Sequence, residues 1–342
     1  MSKNGPRLKK WLIRVAKLIV VLGILWWVWG SLADGWQQLK DRDQGQWHWQ
    51  PAWLLLAAGL YLVGLAPFGL FWYRILHQLG QEARLGETLR AYYIGHLGKY
   101  VPGKAMVVIL RAGLIRSHRV DTAIAAVSVF FETLTMMAVG ACAAAAYLAI
   151  FFREQAVWSL GAAGLMIVAL IPTLPPVFKR LVRLAKRGKI DAATSAKLEA
   201  LGFSTLFVGW LFSLIGWLLL GLSYWATLRA LGIDGLDPVA HLPRYVAGVA
   251  LAVVAGFLLL ILPGGLAVRE MFLAGLVTPY LKELGHPHAD LTAWASAFLL
   301  RLIWTVSELL ISGILYVCGS RAEPPITETG SPDSSPSRVP EL

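Results

Sequence analysis

Apolar residues in this chain come in long stretches, not in the strict alternation of a strand or the one-sided stripe of a surface helix. Six stretches, near 11–32, 51–73, 122–152, 156–174, 204–229 and 291–319, match or exceed the roughly 20 residues that a helix needs to cross a bilayer. Two more, 87–115 and 244–281, are interrupted near the middle. The first break is Tyr100-Val101-Pro102-Gly103-Lys104; the second is Leu262-Pro263-Gly264-Gly265, with Arg269-Glu270 just beyond. Proline removes a backbone donor and clashes with the preceding turn, and glycine leaves a helix cheaply. Such a break is tolerated at membrane depth only where protein or a water-filled cavity satisfies the released backbone. The pattern predicts an all-α polytopic membrane protein, with six full spans and two broken or re-entrant helix pairs.

Composition agrees. Of 342 residues, 57% are hydrophobic and 15% charged, and mean hydropathy is +0.62. A soluble domain is about 25% charged, so too few charges exist to cover a water-facing surface. A soluble enzyme, a coiled coil, a disordered chain and a disulfide scaffold are excluded on this ground. Cys142 and Cys318 each lie in an apolar run, where they read as small buried hydrophobes.

The net charge of +11 changes the picture only through its placement. Residues 1–17 hold six basic side chains and no acid, and residues 177–197 hold seven against Asp191 alone. Both stretches flank apolar spans, where short basic segments stay on the cytoplasmic side. This placement argues against nucleic acid as a partner. The order of basic stretch, apolar run and Ser31-Leu32-Ala33 loosely resembles a secretory leader. Trp26, Trp27 and Trp29 instead suit an interfacial belt, which favours an uncleaved first helix.

Following the charges span by span puts both termini in the cytoplasm of a multi-pass protein of the cell inner membrane. Residues 1–319 read as one membrane domain. Within it the order span, broken pair, span occurs twice, at 51–152 and 204–319, entered from opposite sides. That order is expected of inverted-topology repeats, whose broken helices meet near the midplane and form the site. The basic segment 177–200 reads as an amphipathic interfacial helix. The Pro-, Ser- and Thr-rich tail, 320–342, reads as disordered.

Few ionisable groups interrupt the apolar runs. Gly98-Lys99-Tyr100-Val101-Pro102-Gly103-Lys104-Ala105 is one residue short of a phosphate loop, because Ala105 has no hydroxyl for magnesium. A helix restarting after Pro102-Gly103 would still offer free N–H groups and a favourable dipole to an anion, with Lys99 and Lys104 beside it. The competing reading has both lysines snorkelling to the cytoplasmic interface. At the second break, Arg269 either meets a headgroup or forms a structural pair, with Glu270 pairing a cation such as Arg301. Glu132, Arg301 and Glu308 are the intramembrane ionisable residues of the full spans, and Arg111 is a candidate partner for Glu132. Intramembrane charges default to a functional reading, with structural pairing the alternative. Gly161 and Gly164 read as helix-packing positions. His286-Pro287-His288 is a poor metal site, Asp41-Arg42-Asp43 reads as a solvated loop, and no catalytic, metal or cofactor motif is present.

The run Gly98–Lys104 with Arg111, then Glu132, then Pro263-Gly264-Gly265 with Arg269-Glu270, then Arg301, resembles the lysylphosphatidylglycerol synthase transmembrane-region family over about residues 10–319. The resemblance implies a flippase-like membrane region acting on lipids. It does not imply lysine transfer, because the family's transferase is a separate soluble domain. The expected function is translocation of an anionic or glycosylated lipid between leaflets. An integral membrane enzyme or an accessory subunit of lipid, polysaccharide or glycolipid synthesis is the alternative. The expected substrate-binding set is Lys99, Pro102, Gly103, Lys104, Arg111, Glu132, Pro263, Gly264, Gly265, Arg269, Glu270 and Arg301. The expected cargo is a membrane phospholipid or lipid-linked glycan. A homodimer and a separate biosynthetic enzyme are the protein partners left open.

Overall fold

A computed structural model of the chain describes residues 50–101, 105–117, 119–151, 156–185, 192–258, 268–286 and 288–319. The predicted first span, the 41–43 loop, the tail, Pro102, Gly103, Lys104, Pro263, Gly264 and Gly265 lie outside the described residues. Within them the protein is an all-α polytopic membrane protein. Four helices are long and apolar enough to cross a bilayer: α1 (Pro51–Gln78), α4 (Thr122–Phe151), α8 (Phe203–Ala230) and α11 (Ala289–Cys318). Shorter helices fill the intervals: α2 (Leu85–His96), α3 (Ala105–Ile115), α5 (Ala156–Leu170), α6 (Pro175–Ala185), α7 (Ala192–Glu199), α9 (Leu242–Leu258) and α10 (Val268–Glu283). Helix ends follow local chemistry. Pro51 opens α1, where its missing N–H is no loss. Gly80 and Gly232, at φ 69° and 77°, turn the chain out of α1 and α8 in a conformation that side chains with a Cβ disfavour.

The centre is an antiparallel pair, α1 against α8. The Gln50 N–H donates to the Ala230 carbonyl at one end, and further along the Ser223 hydroxyl donates to the Ala57 carbonyl at 2.8 Å. The pairing is close because α8 repeats a small residue every seven positions, at Gly209, Gly216 and Ser223. The rings of Phe71 and Phe68 lie directly over Gly209 and Gly216. Between two apolar helices in lipid, association rests on close van der Waals packing, and small residues permit it.

Each interrupted run folds as two antiparallel helices. In the first pair Gly95 faces the Arg111 backbone and Gly98 faces that of Val107, so α2 and α3 run antiparallel. In the second, Gly248 faces Leu273, and Arg244 near the start of α9 reaches Glu283 at the end of α10. The feet of the two hairpins lie at opposite ends of α1. The first stands at its C-terminal end, where the Asp121 N–H donates to Gln81 and the Glu82 N–H to the Arg119 carbonyl. The second follows α8, whose C-terminus lies beside the start of α1. The outer long helices then cross over. α4 packs on α9, and α11 packs on α2.

Three expectations change. Among the described residues nothing lies within 4 Å of a Cβ placed at Gly161 or Gly164, and both positions of α5 are exposed. Cys142 is half-buried and Cys318 exposed, the latter because it is the last residue of α11. The basic segment 177–200 is two helices, α6 and α7. Their shared anchor is Glu199, which bonds Lys179 and Arg183 at 2.7 Å each. The hydrogen bond from Lys179 is the main reason its carboxyl lies below the usual range. The predicted span 156–174 is α5 plus the short turn Ile171–Thr173, about 28 Å at helical rises. Around Pro175 the chain bends by 70° into α6.

The seam gives a direct check. Gly216→Leu drives a side chain into the Phe68 ring and should lower stability by about 1–3 kcal/mol, the usual scale of overpacking. Gly59→Leu adds the same bulk where nothing lies within 4 Å and should leave the thermal midpoint in detergent unchanged.

Candidate functional site

The two hairpins run inward from opposite ends of the bundle, and between them lies a cavity of about 280 Å³. Its walls come from the middle of every long helix: Tyr61 and Phe68 of α1, Phe130 and Met137 of α4, Trp217 of α8 and Trp304 of α11. A helix of 28 residues is about 42 Å long, so these central positions lie near mid-membrane. His96, Lys99, Arg111 and Arg269 bring polarity to this otherwise apolar chamber. A smaller space of about 30 Å³ adjoins it, lined by Lys99, Arg269, Glu270 and Arg301 among others.

A charge at the bilayer centre costs about 2.5–3.5 kcal/mol on insertion scales, and more if left alone. Three ion pairs meet this constraint. Arg111 Nη1 lies 2.7 Å from Glu132 Oε2. Lys99 pairs with Glu308, and Arg301 pairs with Glu270. Each pair ties a hairpin to a long helix. Arg111 and Glu132 join α3 to α4, Glu270 and Arg301 join α10 to α11, and Lys99 ties the turn after α2 to α11. Lys99 is therefore held within the bundle by Glu308.

The pairs differ in completeness. Both oxygens of Glu132 are bonded: Tyr92 donates to Oε1 at 3.3 Å, and Thr133 joins Arg111 at Oε2. Arg111 also lies 3.9 Å from the centre of the Tyr92 ring, so it is fixed on two sides. Glu270 and Glu308 instead each keep one buried oxygen, Oε2, without a hydrogen-bond partner. At Glu308 the other oxygen accepts from Tyr61 and Lys99.

Arg269 stands apart. Among the described residues it makes no ion pair and no hydrogen bond. Its guanidinium lies over Trp304, 5.8 Å from the ring centre. Trp304 is itself held by stacking on Tyr61 at 4.4 Å and by donating to Ser223 at 3.1 Å. Lys99, Arg111, Arg269 and Arg301 face Glu132, Glu270 and Glu308, so one positive charge exceeds the local carboxylates, and Arg269 carries it.

Of the expected site residues, the structure gathers Lys99, Arg111, Glu132, Arg269, Glu270 and Arg301 around this chamber. The six of the Pro-Gly breaks lie outside the described residues. Tyr61, His96 and Trp304 were not singled out from sequence, because an aromatic or histidine in an apolar run has no periodic signature. Glu308 was visible as an intramembrane acid, but its partner lies 209 positions away.

Removing one member of the Arg111–Glu132 pair should strand the other. Arg111→Met is expected to lower stability by about 3–5 kcal/mol, read as a large drop in thermal midpoint in detergent. Arg269→Ala breaks no pair and should leave that midpoint unchanged.

No curated protein matches the chain. The profile of the family described as lysylphosphatidylglycerol synthase TM region matches residues 14–311, which takes in α1 to α10 and most of α11. On that span the protein belongs to the lysylphosphatidylglycerol synthase transmembrane-region family.

Proposed function

We propose that the protein moves a lipid with an anionic or glycosylated headgroup between the leaflets of the cell inner membrane. The observation that carries this reading is Arg269, unpaired among the described residues, in an otherwise apolar chamber at mid-membrane depth. A half-buried cation with no carboxylate of its own among the described residues is stabilised by an incoming anion, and arginine suits phosphate oxygens by its fork of donors. The chamber also has a route for acyl chains. Phe130 lines it while 52% exposed on the outer surface of α4. A headgroup can thus enter sideways while its tails remain in lipid.

The two halves, 51–152 and 204–319, act in this reading as inverted repeats. Their hairpins, rooted at opposite ends of α1, alternately admit the headgroup from each leaflet. The basic segments at 1–17 and 177–197 keep both termini on the cytoplasmic side. The cargo is a membrane phospholipid or a lipid-linked glycan.

The test is translocation in phosphatidylcholine vesicles containing fluorescent NBD-labelled phosphatidylglycerol, read by dithionite quenching of the outer leaflet. The purified protein should speed probe movement. Arg269→Ala should slow it about ten- to a hundredfold, the worth of a hydrogen bond to a charged group, while the protein stays folded. Unchanged transport in that variant would remove Arg269 from the path.

A further inference from the structure

We propose that Glu308 binds a proton together with the anionic headgroup, so that the cargo and a proton move as one unit. This inference rests on the translocation reading above and adds the ion that drives it.

The first argument is the contrast between carboxylates. Glu132 has both oxygens bonded and is structural. Glu308 is 1% exposed, crowds its donors on Oε1, and leaves Oε2 bare and buried. An oxygen with no donor on it can take a proton without breaking any hydrogen bond that the carboxylate already accepts.

The second argument is the placement of Lys99. It lines both spaces, whereas Glu308 lines neither. While Glu308 is charged it holds the Lys99 ammonium at the wall. Once Glu308 is neutral, the ammonium is released toward Arg269, and the surplus charge of the chamber rises from one to two. Proton binding and anion binding then favour each other. A headgroup of single negative charge crosses with its proton at no net charge. The step makes one O–H bond on Glu308, using a proton from water on one side, and returns that proton to water on the other.

The third argument is access. His96 lines the chamber and lies between it and Glu308, with Nε2 3.8 Å from Oε1. Arg111 Nη2 is 3.4 Å from Nδ1. As arginine only donates, Nδ1 accepts and Nε2 carries the ring hydrogen toward Glu308.

The groups around Glu308 are few. α1 contributes Tyr61, α2 contributes His96, and the turn after it contributes Lys99 and Tyr100. Tyr100 bonds Thr305 of α11 at 2.9 Å. Arg269 and Glu270 of α10, and Arg301 on α11 itself, lie on the chamber side. Arg90 of α2 is engaged by the Leu315 carbonyl, and the one charge of α8, Arg229, bonds Asp234 at the far end.

The experiment uses the same probe and vesicles, at matched pH on both sides, with pyranine inside to follow protons. Wild-type transport should fall by up to about tenfold per pH unit on the alkaline limb, the slope of one proton, and luminal acidification should track probe entry. Glu308→Gln should lose the pH dependence and the proton signal together. Tyr61→Phe, which removes one donor to the same oxygen, should displace the midpoint of the profile. A flat wild-type profile, a wild-type profile in Glu308→Gln, or an unmoved midpoint in Tyr61→Phe would each overturn the proposal. If wild type moves no probe at any pH, the translocation reading fails. The proton site is then decided by infrared difference spectra. Acidification should raise the carbonyl stretch of a protonated carboxyl in wild type but not in Glu308→Gln, and absence of that band overturns it.

Discussion

The rest of this structure depends on the rule that charge buried in a low-dielectric medium must be matched. Among the described residues, seven charged side chains gather near mid-depth, and the fold is arranged so that six of them stand in pairs. Each pair joins a hairpin to a long helix, so the electrostatic requirement and the tertiary connection are the same contact. The hairpins cannot be held mainly by their own backbone bonds, since both are short and interrupted. Packing of apolar side chains gives little specificity in lipid, where the surroundings are equally apolar. The ion pairs and the glycine seam provide that specificity instead.

The architecture was legible where chemistry is local. Proline next to glycine in an apolar run disfavours a continuous helix, and the described residues on either side of each predicted break form separate helices, α2 and α3 in one run and α9 and α10 in the other. Arg111 with Glu132, and Glu270 with Arg301, were also foreseeable, since an acid and a base inside one membrane must find each other. What sequence could not supply was reach. The partner of Glu308 sits on the turn after α2, and no spacing rule links positions so far apart. Tyr61, His96 and Trp304 were invisible for a related reason: their role arises only when three helices, α1, α2 and α11, bring them together.

Small residues mislead in the opposite direction. Gly161 and Gly164 have the spacing of a packing motif, and among the described residues nothing lies within 4 Å of a Cβ placed at either. The seam in this fold is three small residues of α8 spaced seven apart, Gly209, Gly216 and Ser223, a spacing that keeps them on one face of the helix. Glycine is informative when its partner is known. Gly209 and Gly216 matter because Phe71 and Phe68 lie over them, and Gly98 because the Val107 backbone does.

The bonds at the foot of the first hairpin have a mechanical consequence. Gln81 and Glu82 on one side, Arg119 and Asp121 on the other, fasten the connections before and after it to one another. A helix pair clamped at its base cannot slide along its neighbours; it can only swing. From the start of α2 to Tyr100 the lever is about 26 Å, so a rotation of about 10° sweeps its end through about 4.5 Å. That arc is comparable to the width of a phosphate group and would part Lys99 from Glu308 and Arg111 from Glu132, so the ion pairs at the far end, not the clamp at the foot, hold the lever still.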